Sequence, residues 1–255
     1  MTSTASGNGY RFAAEPIAGG GTPTAHWREW IRSLPTLDLS DCPALVVVAP
    51  HPDDETLGFG ATASLLHSRG VDVTVVSVTD GGGSVPGLSA VERQWLERER
   101  RDELRSATAI LGLPEPVALG LPDGDVAALE DELTARLVDV VAAGPAGTWC
   151  AATWRGDGHP DHEAVGRSAA AAVAQTGAVL LEFPVWMWHW AKPADEAVPW
   201  HRMSAAPRDE AAAARKQRAA AAYESQLAPY RAGADVVLPP FVLQRLFAVG
   251  EMVIR

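Results

Sequence analysis

Two short polar clusters combine residue types that can bind a metal and move protons: Pro-His-Pro-Asp-Asp-Glu at 50–55 and Gly-Asp-Gly-His-Pro-Asp-His at 156–162. In the first, Pro52 stiffens a bend. His51 and Asp54, three apart on that bend, can aim an imidazole and a carboxylate at one point, while Asp53 faces the same space from the side. Two adjacent carboxylates repel unless a cation lies between them. A divalent metal relieves the repulsion by taking Asp54 as a ligand, which leaves Asp53 ionised to act on a water. The second cluster repeats the device with His159, Pro160, Asp161 and His162 and supplies a further ligand. Two imidazoles, one carboxylate and an open position form the ligand set of a hydrolytic zinc site. Each cluster alone also reads as a plain helix start, where Asp and Pro are favoured anyway.

The elements that must bring these clusters together are legible from Pro43 onward. Short β-branched runs at 44–49, 71–79, 116–120, 148–153 and 178–185 alternate with stretches suited to helix at 61–69, 90–111, 126–143 and 162–175. Continuous apolar strands separated by helices predict a single α/β domain with a mostly parallel sheet and helices on both faces. In such folds ligands bind beyond the carboxyl ends of the strands. Both clusters follow strands, so one rim of the sheet can hold them. The first 25 residues, rich in Gly, Thr, Ala and Ser, read as a flexible arm or a strap over the surface, and residues 26–255 as the domain itself. Beyond the last strand, Trp186, Trp188 and Trp190 alternate; they can face a sugar ring or simply fill a core. The Ala-rich composition that follows predicts a helix over about 207–227.

A chain of 255 residues with 47% hydrophobic content suffices for one full core. Its net charge of -11 repels phosphate backbones, and no dense Lys or Arg run reverses that field, so nucleic acid is excluded as a partner. The two cysteines, Cys42 and Cys150, fall in no CxxC pattern and imply neither a disulfide framework nor a thiolate metal site. No apolar run reaches membrane-spanning length and the N-terminus has no secretory signal pattern, so a cytoplasmic enzyme is expected. The oligomeric state is left open, a homo-oligomer included.

The pair PHPDDE and HPDH, with the strand before the first and TDGGGS at 79–84 after the second strand, resembles the LmbE-like or PIG-L family of zinc-dependent N-deacetylases over roughly 44–226. The resemblance implies a Rossmann-like fold and removal of acetyl groups from N-acetylglucosamine-type conjugates. It implies His51, Asp54 and His162 as zinc ligands and Asp53 as general base. His159 then stabilises the tetrahedral intermediate or protonates the leaving amine. Arg100, in RRDEL, and Asp123, in LPDGD, match positions that bind substrate. The stretch KQRAAAAYESQ at 216–226 resembles a family helix ending in Ser-Gln, to which no role attaches. Gly82 stands where many relatives carry an acidic residue. Three rival readings stand beside this one. One is an amidase of the same family acting on a larger N-acyl or conjugate substrate. Another is a non-haem iron oxygenase, since His51-x-Asp53 plus a distant histidine also spells its triad. The third is a sugar-binding protein without turnover, against which the second carboxylate, Asp53, argues.

Overall fold

The computed structural model describes residues 7–231 and 234–255. Five strands run parallel: β1 (Ala44–Ala49), β2 (Asp72–Thr79), β3 (Val117–Leu121), β4 (Trp149–Thr153) and β5 (Val179–Phe183). Two short strands, β6 (Met203–Ala205) and β7 (Met252–Ile254), extend the sheet in antiparallel pairing, giving the order β3-β2-β1-β4-β5-β7-β6. All six residues of β1 are buried because helices cover both of its faces, which is why its sequence is continuously apolar rather than alternating.

The winding reverses between β1 and β4: β2 and β3 lie on one side of β1, and β4 and β5 on the other. Crevices outside such a reversal are where open α/β sheets bind ligands. Residues 50–55 leave β1 there, and residues 154–162 leave β4 beside them, the two strands pairing Val48 with Ala152. The architecture is therefore the expected α/β one, with both clusters on a single rim.

The helices number α1 (Gly9–Ala14), α2 (Thr24–Trp30), α3 (Asp54–Ser68), α4 (Ala90–Leu111), α5 (Glu130–Ala142), α6 (Pro160–Thr176), α7 (Met187–Trp190), α8 (Glu210–Ala220), α9 (Glu224–Leu227) and α10 (Pro240–Val249). Helix α3 starts seven residues earlier than the apolar pattern predicts. It is buried almost all round, so it carries no amphipathic stripe, and Gly58 and Gly60 mask its start. Gly58 is there for close approach, since a Cβ would lie 2.2 Å from the Phe183 ring on β5. The Ala-rich helix stops at Ala220, and a break precedes α9, which carries the Ser-Gln pair.

Residues 7–25 form a strap fastened at both ends, whereas 1–6 lie outside the described residues. Asn8 donates its backbone N–H to Glu163 Oε1 at 2.8 Å and its side-chain Nδ2 to Gly156 O at 2.9 Å. Thr22 Oγ1 donates to Ala191 O at 2.6 Å. On the far side of α3, Glu251 Oε1 and Oε2 accept the N–H groups of Ala61 and Thr62 at 2.8 and 2.7 Å, and Lys216 Nζ bridges Leu57 O and Glu251, each at 2.7 Å. This buried ion pair ties α8 and the start of β7 to the helix that carries Asp54.

Candidate metal centre

His51 leaves β1 on a turn whose next residues are Pro52 and Asp53, and Asp53 adopts φ 133°, a left-handed-side conformation unusual for a non-glycine residue. Glu55 holds it there: its Oε2 accepts the Asp53 N–H at 3.0 Å, and its other oxygen takes the phenol of Tyr223. Strain of this kind persists only where surrounding contacts over-determine it. The turn separates the two carboxylates. Asp54 faces the histidines; Asp53 Oδ2 instead accepts from Arg100 Nη2 at 3.1 Å.

Asp54 Oδ2 lies 3.1 Å from His51 Nδ1 and 3.2 Å from His162 Nε2. The outer nitrogens of both rings are already engaged. His162 Nδ1 is 2.8 Å from Asp157 Oδ2, and that carboxylate also accepts the backbone N–H groups of Val185, Trp186 and Met187, each at 2.9 Å. His51 Nε2 lies 3.1 Å from Asp123 Oδ1 and 3.3 Å from Asp161 Oδ2. Carboxylates accept only, and each ring has one on either side; a metal takes an unprotonated nitrogen, so with a cation at Asp54 each neutral ring carries its single proton on the outer nitrogen. In that tautomer the inner lone pairs of both rings face Asp54 Oδ2, which also accepts the His51 backbone N–H at 3.2 Å.

Such an arrangement needs a cation. Ligands bound tetrahedrally to zinc at 2.0–2.1 Å sit about 3.3 Å from one another, the spacing observed at Asp54. His162 Nε2 is buried and off line for a hydrogen bond to Asp54, which leaves it with no hydrogen-bond partner among the described residues. In the metal-free protein, protons fill the gap. Burial lowers His162 basicity, but Asp54 and Asp157 outweigh it and lift the ring to about 9. Burial likewise opposes the charging of His51, yet Asp123, Asp161 and Asp54 raise it well above the usual imidazole range. Asp54 is held far below the carboxylate range despite its burial, because His162 and His51 face it.

Two other groupings share this rim. Ring nitrogens of His51, His159 and His162 lie within 4.8 Å of one another, as do ligand atoms of His51, Asp123 and Asp161. His159 is the N-cap of α6, its Nδ1 accepting the Asp161 N–H at 3.3 Å, so its neutral ring presents Nε2–H. Burial, with His162 and His51 as neighbours, pushes it down to about 3. Burial also drives Asp53 up to about 8 against the pull of Arg100; a bound divalent cation works in the opposite direction.

A cavity of about 330 Å³ opens over these groups, and His51, Asp53, Asp54, Arg100, Asp123 and His159 all line it. His162 is fully buried beneath. Arg100 and Asp123, expected at the substrate, line this cavity and also bond within the site's own frame. Arg100 donates to Gly81 O at 2.8 Å, to Pro52 O at 2.6 Å and to Asp53. Gly81, at φ 69°, gives it room, since a Cβ would lie 2.0 Å from Nη1. Asp123 bridges His51 and the Gly83 N–H, 2.6 Å away. Of the three alternating tryptophans, Trp186 reaches the cavity; Trp188 and Trp190 pack in the core. Nothing in the sequence assigns a role to Asp157, Asp161, Glu55 or Tyr223. The two aspartates stand inside the quoted motifs, but their part depends on which ring nitrogen needs an acceptor.

The family model described as PIG-L, GlcNAc-PI de-N-acetylase, matches residues 46–173, half of the chain. A 1D-myo-inositol 2-acetamido-2-deoxy-alpha-D-glucopyranoside deacetylase of Mycolicibacterium gilvum is 32% identical over 179 residues, covering 58% of this chain and 59% of the relative. The chain spans at most about 60%, and for most about half, of the length of the curated relatives it matches. Among solved structures, a conserved protein of Thermus thermophilus is 27% identical with TM-score 0.53, over 71% of this chain and 79% of that one. A teicoplanin deacetylase in its zinc-inhibited form, 20% identical, has the same fold with TM-score 0.58 over 72% and 84% of the two chains. The matched span starts within β1 and ends within α6, so it contains every ligand and carboxylate of the rim, and the chain belongs to the PIG-L family.

Proposed function

We propose that this chain is a zinc-dependent N-deacetylase that hydrolyses the acetamide of an N-acetylglucosamine-type conjugate. One observation carries the reading: two histidines, each oriented by an outer carboxylate, converge on Asp54, while Asp53 faces the same cavity without joining them. His51, Asp54 and His162 would hold the ion. Zinc held there would supply Lewis-acid chemistry, polarising the amide carbonyl and bringing the pKa of a water to about 7.

The chain's own residues then act on protons and position. Asp53 accepts the proton of the attacking water on its cavity-facing carboxylate and delivers it to the departing nitrogen. Arg100 holds that carboxylate and the carbonyl of Pro52 in place. His159, kept neutral by its surroundings, donates a hydrogen bond from Nε2 to the oxygen on which negative charge develops. Asp123 orients His51 and Asp157 orients His162, as carboxylate partners of metal-binding histidines do. Residues 26–255 are the proposed catalytic unit, and the strap before them adds Phe12 and Ile17 to the cavity wall. The proposed setting is the cytoplasm, on the composition argument; among the described residues no helix is long and apolar enough to cross a membrane.

A larger conjugate or acyl group is favoured by a specific feature. The cavity adjoins a second chamber of about 810 Å³, with Ile17, Ser84 and Val237 lining both. The test is incubation of purified protein with N-acyl glucosaminides of increasing aglycone and acyl size, with free amine followed by mass spectrometry and metal content by elemental analysis. Turnover that requires iron and oxygen, or occurs without metal, refutes the proposal.

A further inference from the structure

The Ser-Gln pair at the end of the 216–226 segment acquires a role from its hydrogen bonds. Gln226 sits on α9, is fully buried and lines the cavity over the metal centre. Its neighbour Ser225 is anchored to Glu103 on α4, donating its N–H to Oε1 and its hydroxyl to Oε2, both at 2.7 Å. A hydroxyl carries a single hydrogen, and this one is committed to the carboxylate. The 2.9 Å contact between Ser225 Oγ and the Gln226 carboxamide is therefore one in which Ser225 accepts and Gln226 Nε2 donates. That relay settles the orientation of the carboxamide, whose nitrogen and oxygen are told apart only by their partners.

Gln226 Oε1 is thus left as an acceptor, and it has no partner among the described residues. An unpaired buried acceptor is costly, and two residues, Ser225 and Glu103, hold the carboxamide in the orientation that leaves this one unpaired. The scissile amide is already served by Asp53, which takes the proton of the attacking water and delivers it to the departing nitrogen, so Gln226 is not needed there. The donors still unassigned on an amino sugar are its ring hydroxyls.

We propose that Gln226 Oε1 accepts a hydrogen bond from a ring hydroxyl of the substrate sugar, with Ser225 and Glu103 as positioning residues that fix its orientation. The inference rests on the amino-sugar reading above and adds a specificity contact to it. Gln226 recognises; it takes no part in the bond cleavage.

The test compares zinc-loaded wild type, Gln226→Met and Ser225→Ala on methyl 2-acetamido-2-deoxy-β-D-glucopyranoside and its 3-, 4- and 6-deoxy analogues. Wild type should lose about 5–20-fold in kcat/KM on one deoxy analogue, mainly through KM, as loss of one neutral hydrogen bond predicts. Gln226→Met should show that same loss on the parent sugar and no further loss on that analogue. Ser225→Ala, which frees the carboxamide to turn, should raise KM on the parent with kcat near wild type; it also carries the test if Gln226→Met does not fold. Losses that multiply in full on every analogue, or unchanged KM in both variants, overturn the assignment. A wild-type enzyme that hydrolyses none of the four sugars and no N-acyl glucosaminide of larger aglycone or acyl group refutes the amino-sugar reading itself, and this contact with it.

Discussion

Replacing Asp53 by Asn separates holding the metal from using it, because Asn keeps the shape and cannot accept a proton at neutral pH. Its oxygen can still take the Arg100 bond, and Asn tolerates positive φ, so the turn at φ 133° survives. Metal content should stay at about one ion per chain. Loss of a positioned base lowers kcat by roughly 10²–10⁴, about 3–5 kcal/mol in the barrier. The structure adds a stability signature to this. In protein stripped of metal, burial raises the Asp53 carboxyl to about 8, far above its value in the unfolded chain. A carboxyl raised in this way favours folding fully below its unfolded pKa, and that contribution disappears as pH climbs through about 8. Metal-free wild type should therefore lose thermal stability between pH 5 and 9 more steeply than metal-free Asp53→Asn, and thermal melts across that window read the difference. Asp54→Ala is the control, expected to lose metal and activity together. If Asp53→Asn empties the site while Asp54→Ala retains the ion, the roles of the two carboxylates are exchanged and the mechanism above is wrong.

Zinc has to displace protons from His51 and His162, both raised in the metal-free protein, the latter to about 9. Calorimetry at pH 7 in buffers of differing ionisation enthalpy should report about two protons released per zinc, with affinity rising up to about pH 9; release of none contradicts the ligand set. His159→Ala should retain one zinc and lose roughly 10²-fold or more in kcat, whereas metal loss by elemental analysis identifies the three-histidine grouping as the true site. Lys216→Met leaves Glu251 charged and buried against the middle of α3. Chemical denaturation should show a loss of about 3–5 kcal/mol, and an unchanged midpoint removes the ion pair from the account of the fold.

How much of the site could be read in advance depends on the range of the interaction. His51, Asp53, Asp54, His159 and His162 are legible because they cluster within two turns that follow apolar strands, and the strand-then-polar pattern is local. Arg100 and Asp123 are legible as belonging near the site, but not for what they touch. Arg100 lies mid-way along α4 and reaches back to the 50–53 turn; Asp123 crosses to His51 from the β3 exit. Such contacts join elements far apart in sequence and leave no periodic trace. The same holds for Glu55 and Tyr223, or for Ser225 and Glu103, whose pairing depends on how α8, α9 and α4 pack.

The apolar runs and their breaks by themselves determined the five parallel strands, the helices between them and the rim on which PHPDDE and HPDH meet, since burial on both faces writes itself into composition. Strands β6 and β7 escaped because three residues pairing antiparallel at a sheet edge carry too little pattern to be distinguished from loop. The tertiary structure alone decided which ring nitrogen of each histidine is free. That choice depends on Asp157, Asp123 and Asp161 reaching the outer nitrogens, and a metal site is selected by the direction of lone pairs, which only the packed chain sets.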